Sequence, residues 1–369
     1  MSLFFKRIIV LLHLTSVIAI AQKQFSVKIQ FPENIDNSRI KILYDNGKEE
    51  INIQPKFRGN QIVLSGKYYS KYADIVIDYS SDTLTYHNTF WVASKPAFLS
   101  LVTEKETLRC DKAENVYDIM QMGASDFNKF VAIEDKDFFE FILRNNTNMN
   151  DSLAKIAYAK GKTLSNKKLE FIKNNGNSYY SFWLFRKEAV FADTSVDTLI
   201  KIYKTVFPVD FINSQEGTEI TKILTGRNLK KKSQAPVFIA KDISGKTISL
   251  EKYKNKFILL AFWASWCGPC VEEIPTISLM REKYSTDKFE IISVTLDDNL
   301  TQFSEAIKKY NMNWKHIYGD KDLVKKYGVI GIPEIYLIDK TGKIIYKREE
   351  EKDFTPKLPI LEAILKEKL

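Results

Sequence analysis

The chain has 369 residues, 44% of them hydrophobic, and carries 55 Lys and Arg against 46 Asp and Glu, a net charge of +9. That length and apolar content can build more than one core, and the charge is spread along the chain rather than gathered into the aromatic-interleaved basic stripe of a nucleic-acid binder. With only Cys110, Cys267 and Cys270, the chain is not a disulfide-stapled scaffold.

Lys6 and Arg7 precede a largely apolar stretch, Ile8 to Ile20, and Ala19-Ile20-Ala21 supplies small residues for a signal peptidase. Residues 1–21 therefore read as a secretory signal cut before Gln22. The stretch is shorter than the roughly 20 residues a spanning helix needs, which weighs against an uncleaved anchor. No Cys follows it to take a lipid. The expected location is the periplasm.

Residues 22–110 read as a β domain. Phe25, Val27, Ile29 and Phe31 alternate with polar residues, the period of a half-buried strand. Short apolar runs follow at Ile40–Leu43, Ile51–Ile53, Ile62–Leu64, Ile75–Ile77, Phe90–Val92 and Phe98–Val102. Turn material such as Asp45-Asn46-Gly47 separates them. The pattern predicts an antiparallel sandwich or barrel. Cys110 stands at the end of this region, a lone thiol expected to be buried.

Residues 111–232 shift to helical spacing. Phe127, Phe130, Val131, Phe138, Phe141 and Ile142 share one stripe, and Leu199, Ile202, Tyr203 and Val206 another. Breaks fall at Asn145-Asn146, Asn174-Asn175-Gly176 and Pro208, which predicts four or five helices. Tyr179-Tyr180-Ser181-Phe182-Trp183 reads as a core-facing stripe in preference to a ligand surface. Lys230-Lys231-Lys232 reads as a solvated linker.

Residues 233–369 alternate β and α. A hairpin is predicted around Asp242–Lys246, and a strand buried on both faces over Phe257–Ala264. A helix follows over Cys267–Tyr284, then a strand over Phe289–Leu296 and helices over Phe303–Tyr310 and Leu323–Tyr327. Strands at Glu334–Ile338 and Lys343–Tyr346 and a helix over Leu358–Lys368 close the chain. This order implies a central sheet covered on both sides.

The stretch FWASWCGPCVEEIP, Phe262 to Pro275, sits where the buried strand becomes a helix. A thiolate at Cys267 would meet the unpaired N–H groups and positive dipole end of that helix, which lowers its pKa. Cys270 lies one turn on, at a separation a disulfide tolerates. A bridge closing so short a loop does little for stability, so the spacing suits a bond that is made and broken. Cys267, expected to be the exposed member, attacks a partner's disulfide, and Cys270 resolves the intermediate. Gly268 leaves room for a partner chain, and Pro269 fits the first helical turn. A zinc site would need two further ligands at a supporting spacing. Haem attachment would need His where Val271 stands. No cofactor is called for.

These residues place the C-terminal region among proteins it resembles. Residues 234–369 are similar to the thioredoxin superfamily, in particular its exported TlpA/ResA-like thiol-disulfide oxidoreductases, through Trp263, Ala264, Trp266 and Cys267-Gly268-Pro269-Cys270, through Pro275, and through GVIGIPEIYLIDKTGKII. The resemblance implies a cis-proline at Pro333 beside the cysteines, with the backbone of Ile332 pairing with the substrate chain, next to Trp266. It also implies a proton-handling role for Glu273, which sits on the Cys270 face of the helix, where a partly buried carboxylate can tune a thiol. The competing reading of Glu273 is a surface residue favoured by the helix N-terminus. Ala261 stands where thioredoxin has a buried Asp. Glu272 is expected to face solvent, and Glu334 to put a charge beside the substrate groove.

The resemblance implies a redox-active disulfide enzyme that reduces disulfide-containing envelope proteins, apocytochrome c being one such substrate by analogy with cytochrome c maturation. A membrane thiol electron carrier would resupply the electrons, within cell redox homeostasis. Two alternatives stand beside it: an envelope ligand-binding protein using the thioredoxin module as a scaffold, and a disulfide oxidant or isomerase.

Overall fold

The structure, a computed structural model, describes residues 22–369 apart from 82, 83, 106, 146–149, 189 and 191. The predicted signal at residues 1–21 lies outside the described residues. Among those described, no helix is long and apolar enough to cross a membrane. The chain divides into two compact units. The first runs to Ala124 and adds Ser214–Glu216; the second comprises Ser125–Asn213 and Gly217–Leu369.

Among the described residues the first unit is built on nine strands: β1 (Lys23–Gln30), β2 (Ile40–Asp45), β3 (Glu50–Ile53), β4 (Gln61–Tyr68), β5 (Ala73–Ser80), β6 (Thr85–Val92), β7 (Ala97–Glu104), β8 (Thr107–Glu114) and β9 (Val116–Asp118). They hydrogen-bond in the order β3-β2-β5-β6-β8-β7-β1-β4, with β9 on β6. Pairing is mostly antiparallel, with parallel contacts between β1 and β7 and between β6 and β8. Phe25, Val27 and Ile29 of β1 enter the core with Ile42, Ile62, Ile75, Ile77 and Leu99, as the alternation requires. Strands β8 and β9 carry the sheet past Cys110 to Asp118. They escaped the sequence reading because β8, TLRCDKAE, buries only Leu108.

In the second unit, helices α1 (Ser125–Asn145), α2 (Asp151–Asn174), α3 (Tyr179–Lys187), α4 (Val196–Val206), α5 (Val209–Ile212) and, from Gly217 on, α6 (Gln215–Arg227) come first. They end where the sequence breaks. The Asn150 side chain caps α2 by accepting from Leu153 N, and Pro208 opens α5. Tyr179, Tyr180, Phe182 and Phe185 are buried; Tyr179, Phe182 and Phe185 pack on Phe207, Phe211 and Tyr203, and Tyr180 packs on Phe127 and Phe171.

A hairpin of β10 (Ile239–Lys241) and β11 (Thr247–Ser249) follows. The remaining strands are β12 (Phe257–Trp263), β13 (Phe289–Thr295), β14 (Lys315–Tyr318), β15 (Glu334–Ile338) and β16 (Ile344–Lys347). Between and after them lie α7 (Gly268–Lys283), α8 (Leu300–Lys309), α9 (Lys321–Lys326), α10 (Arg348–Glu351) and α11 (Pro359–Lys368). The sheet order is β14-β13-β12-β15-β16. Strands β12, β13 and β14 run parallel, and β15 and β16 join antiparallel. Alternate residues of β12 enter different cores. Ile258, Leu260 and Phe262 pack with Tyr327, Tyr336 and Phe238 on one face. Phe257, Leu259 and Ala261 pack with Ile277, Met280, Leu361 and Leu365 on the other. Burial on both faces is why this strand reads as an unbroken apolar run.

The helical segment docks directly on the α9 end of this region. Gly226 of α6 and Gly328 approach so closely that a Cβ on Gly226 would meet Gly328 N at 2.4 Å. Lys325 Nζ reaches Glu219 Oε2 at 2.8 Å. The basic run Lys230–Lys232 is exposed, as a solvated linker requires, but its backbone is tied down. Lys231 N donates to Glu350 Oε2 at 2.8 Å, and Lys232 N donates to the carbonyl of Ile344 at 2.7 Å, because the segment lies along β16.

Candidate active site

The end of β12 delivers Trp263 and Ala264 into the core, and the chain then turns outward. Trp266 is 66% exposed, the largest ring on this surface. The turn is clamped from the end of β13. Buried Asp297 accepts from Ser265 N at 2.9 Å, from the Ser265 hydroxyl at 2.6 Å and from the Thr295 hydroxyl at 2.6 Å. Cys267 is the N-cap of α7, and its Sγ accepts from Cys270 N at 3.3 Å. The two sulfurs are bonded, with Cα atoms 5.2 Å apart, so the structure shows the oxidised form. Gly268 and Pro269 are exposed, and a Cβ on Gly268 would meet nothing within 4 Å.

Neither cysteine is exposed. Cys267 retains 6% of its surface and Cys270 3%, a correction to the expectation for Cys267. The cause is packing: both sulfurs belong to an apolar cluster with Trp263, Ile274, Phe303 and Met312, and Ile332 lies against it. The Ile332–Pro333 bond is cis. Pro333 and Cys270 line one narrow cavity together with Ala261, Trp263, Glu273 and Trp314. Its free volume of about 20 Å³ is that of about one water. The indole N–H groups of Trp263 and Trp314 are buried without a hydrogen-bond partner among the described residues.

Glu273 is 2% exposed, so it is not a surface residue of the helix, whereas Glu272 is exposed. Burial pushes the Glu273 carboxyl up to about 7, against the pull of Arg348, and Asp353 adds to the rise. Its Oε1 accepts from Arg348 Nη2 at 2.5 Å. Glu334 is also buried, at 7%, and presents no charge to a groove. Strand register turns it inward opposite Phe262, and burial pushes its carboxyl up to about 7 despite nearby Lys347. Cys110 lies in the other unit, half-buried on β8, where burial raises its thiol pKa.

The structure thus brings Cys267, Cys270, Glu273, Ile332 and Pro333 together beneath an exposed lip of Trp266, Gly268 and Pro269. Two residues were missed by the sequence reading. Asp297 lies in an unremarkable Asp-Asp pair after β13, and Arg348 in a charged run after β16. A sulfur at a helix start, a second sulfur one turn on and a buried carboxyl raised to about 7 are groups with the chemistry that thiol exchange needs.

Comparison with known proteins agrees. The Redoxin family model matches residues 230–365. Thiol-disulfide oxidoreductase ResA of Bacillus thuringiensis subsp. konkukian is 36% identical over 120 residues, 32% of this chain and 69% of the relative. This chain belongs to the ResA-like thiol-disulfide oxidoreductases of the thioredoxin superfamily. The ResA of Bacillus subtilis is 29% identical over 119 residues, covering 32% of this chain and 66% of that protein. Among solved structures, the thioredoxin domain of a Bacteroides vulgatus thiol-disulfide oxidoreductase aligns at 26% identity with a TM-score of 0.33, covering 37% of this chain and 99% of that one. The oxidoreductase assignment rests on the C-terminal region, which carries both sulfurs of the exchange site.

Proposed function

We propose that this oxidoreductase works outside the cytoplasm and reduces protein disulfides through Cys267 and Cys270. The Cys267 thiolate, stabilised by N–H groups at the start of α7, attacks one sulfur of a partner's disulfide. That S–S bond breaks, and the partner's other sulfur leaves with the electron pair and takes a proton. Cys270 passes its proton to the Glu273 carboxylate and attacks Cys267 Sγ. The Cys267–Cys270 bond closes, and the partner's second sulfur is released. Two electrons have moved from the dithiol to the partner, and a membrane thiol carrier returns them. The backbone at Ile332 and cis-Pro333 seats the partner chain, with Trp266, Gly268 and Pro269 flanking it. Disulfide-containing envelope proteins, apocytochrome c among them, are the substrate class.

The observation that carries this reading is the buried Glu273 sharing a cavity with Cys270, its carboxyl held near neutrality, where a proton acceptor is most effective. With dithiothreitol as donor, the full chain is expected to reduce insulin disulfides and Cys267→Ser to be inactive. Cys270→Ala is expected to accumulate mixed disulfides on Cys267 in cells. Undiminished insulin reduction by Cys267→Ser would remove Cys267 from its role.

A further inference from the structure

Arg348 opens α10 straight from the last strand, and its side chain is 8% exposed. Nη2 donates to Glu273 Oε1 at 2.5 Å, and Nη1 donates to the carbonyl oxygen of Pro333 at 2.9 Å. The guanidinium lies 5.4 Å from the Phe354 ring centre. One planar group therefore holds two parts of the site that are far apart in sequence: the carboxylate on α7 and the cis-proline segment entering β15. The fork geometry suits this, since the guanidinium offers several donors at fixed angles and keeps its charge at any working pH.

The other groups around Glu273 do not replace it. Cys270 shares α7 and the cavity. Asp353 is 3% exposed and pulls in the opposite sense, raising the Glu273 carboxyl. The Asp353 carboxylate accepts from the Tyr346 hydroxyl at 2.9 Å and from Ile360 N and Leu361 N at the start of α11. Across the cavity, the Ser293 hydroxyl is bonded to His316 Nδ1 at 2.7 Å. Burial lowers the His316 pKa. Arg348 is the cation set against Glu273 among these groups.

We propose that Arg348 is a positioning residue for thiol exchange: by gripping Glu273 and the Pro333 carbonyl with separate nitrogens, it holds the carboxylate in place and in the charge state that can take the Cys270 proton. This rests on the reading that Cys270 resolves and Glu273 accepts its proton. Without the guanidinium, the buried carboxyl stays protonated to higher pH, and the resolving step slows while the first attack does not.

The test uses the reduced full chain in a Cys110→Ser background, mixed with less than one equivalent of 5,5′-dithiobis(2-nitrobenzoate). Attack by Cys267 releases one thionitrobenzoate, and resolution by Cys270 releases the second. Arg348→Gln, which keeps volume and hydrogen bonding but not charge, is expected to leave the first release unchanged. Its pH inflection for the second release should move up by about one unit or more, about a tenfold loss of rate below the inflection. Arg348→Lys is expected to restore the inflection. Glu273→Gln is expected to slow the second release, and the double variant to be no slower than Glu273→Gln alone. A wild-type inflection in Arg348→Gln would overturn the proposal. So would an equal further shift when Arg348→Gln is added to Glu273→Gln, or a loss in Arg348→Lys as large as in Glu273→Gln. A wild-type protein that releases only one thionitrobenzoate, or a Glu273→Gln variant that resolves normally, would instead overturn the relay reading beneath it.

Discussion

Replacing Glu273 by glutamine should flatten part of the pH dependence of stability in the disulfide form. The native carboxyl titrates at about 7 against an ordinary value of 4.5, so the folded state holds its proton more tightly than the unfolded chain does. The sign follows from linkage. This group's stabilisation is fully present below about pH 4.5 and is lost as pH rises through about 7. At ~1.4 kcal/mol per pKa unit, a rise from 4.5 to about 7 corresponds to about 3 kcal/mol. Because Glu273 is 2% exposed, solvent screening takes little from that figure. Glu334, whose carboxyl is also raised to about 7, slopes the same way. His316, lowered by burial, slopes the opposite way. Both remain in the variant, so the difference between two urea-unfolding series from pH 5 to 8, followed by tryptophan fluorescence, isolates Glu273. Glu273→Gln also leaves Arg348 without its anion, an offset that is constant with pH. The wild-type protein should lose about 2.5 kcal/mol more than the variant between pH 5 and 8, since part of the effect is already lost at pH 5. A difference that stays within about 0.5 kcal/mol, the scatter of ordinary substitutions, would refute the buried-carboxyl account.

Gly328 has φ +60°, and a Cβ there would meet Arg227 N at 2.0 Å. Gly328→Ala should cost about 2 kcal/mol or more, read as a lower urea midpoint, and a midpoint equal to wild type would contradict the close approach of α6. Asp297→Ala removes the acceptor for Ser265 N, the Ser265 hydroxyl and the Thr295 hydroxyl. The expected cost is about 2–3 kcal/mol, with slower first attack by Cys267 in the same thionitrobenzoate assay, since the loop that places Cys267 loses its clamp. An unchanged first-attack rate would show that the loop holds its shape without Asp297.

How much of this was legible in the sequence follows from how local each signal is. Strands β12 and β13 announce themselves because both faces are buried and every residue is under the same demand. The start of α7 is equally local, since its cap, its first-turn proline and both sulfurs lie within a few residues of one another. Strand β14, by contrast, is Lys-His-Ile-Tyr at the sheet edge, where one neighbour and two fully buried residues leave no period to find. Strand β8 carries charges outward between β6 and β7, and its pairing, not its composition, makes it a strand. The charged residues of the site pose the harder problem. Glu272 and Glu273 are identical in type and adjacent, yet one is exposed and the other buried, a difference of about 100° around a helix. What makes the buried position tolerable is Arg348, 75 residues away, because a carboxylate taken out of water needs a charged, hydrogen-bonded partner. No short window contains both halves of that requirement. A charged run such as Lys347–Glu351 therefore looks like solvated surface until the fold turns one member inward. The same logic governs Glu334, which reads as a charge beside the substrate groove and is instead turned inward by its register on β12. In this protein the two sulfurs lie three positions apart in the sequence, while the buried charges Glu273 and Arg348 are brought together only by the fold.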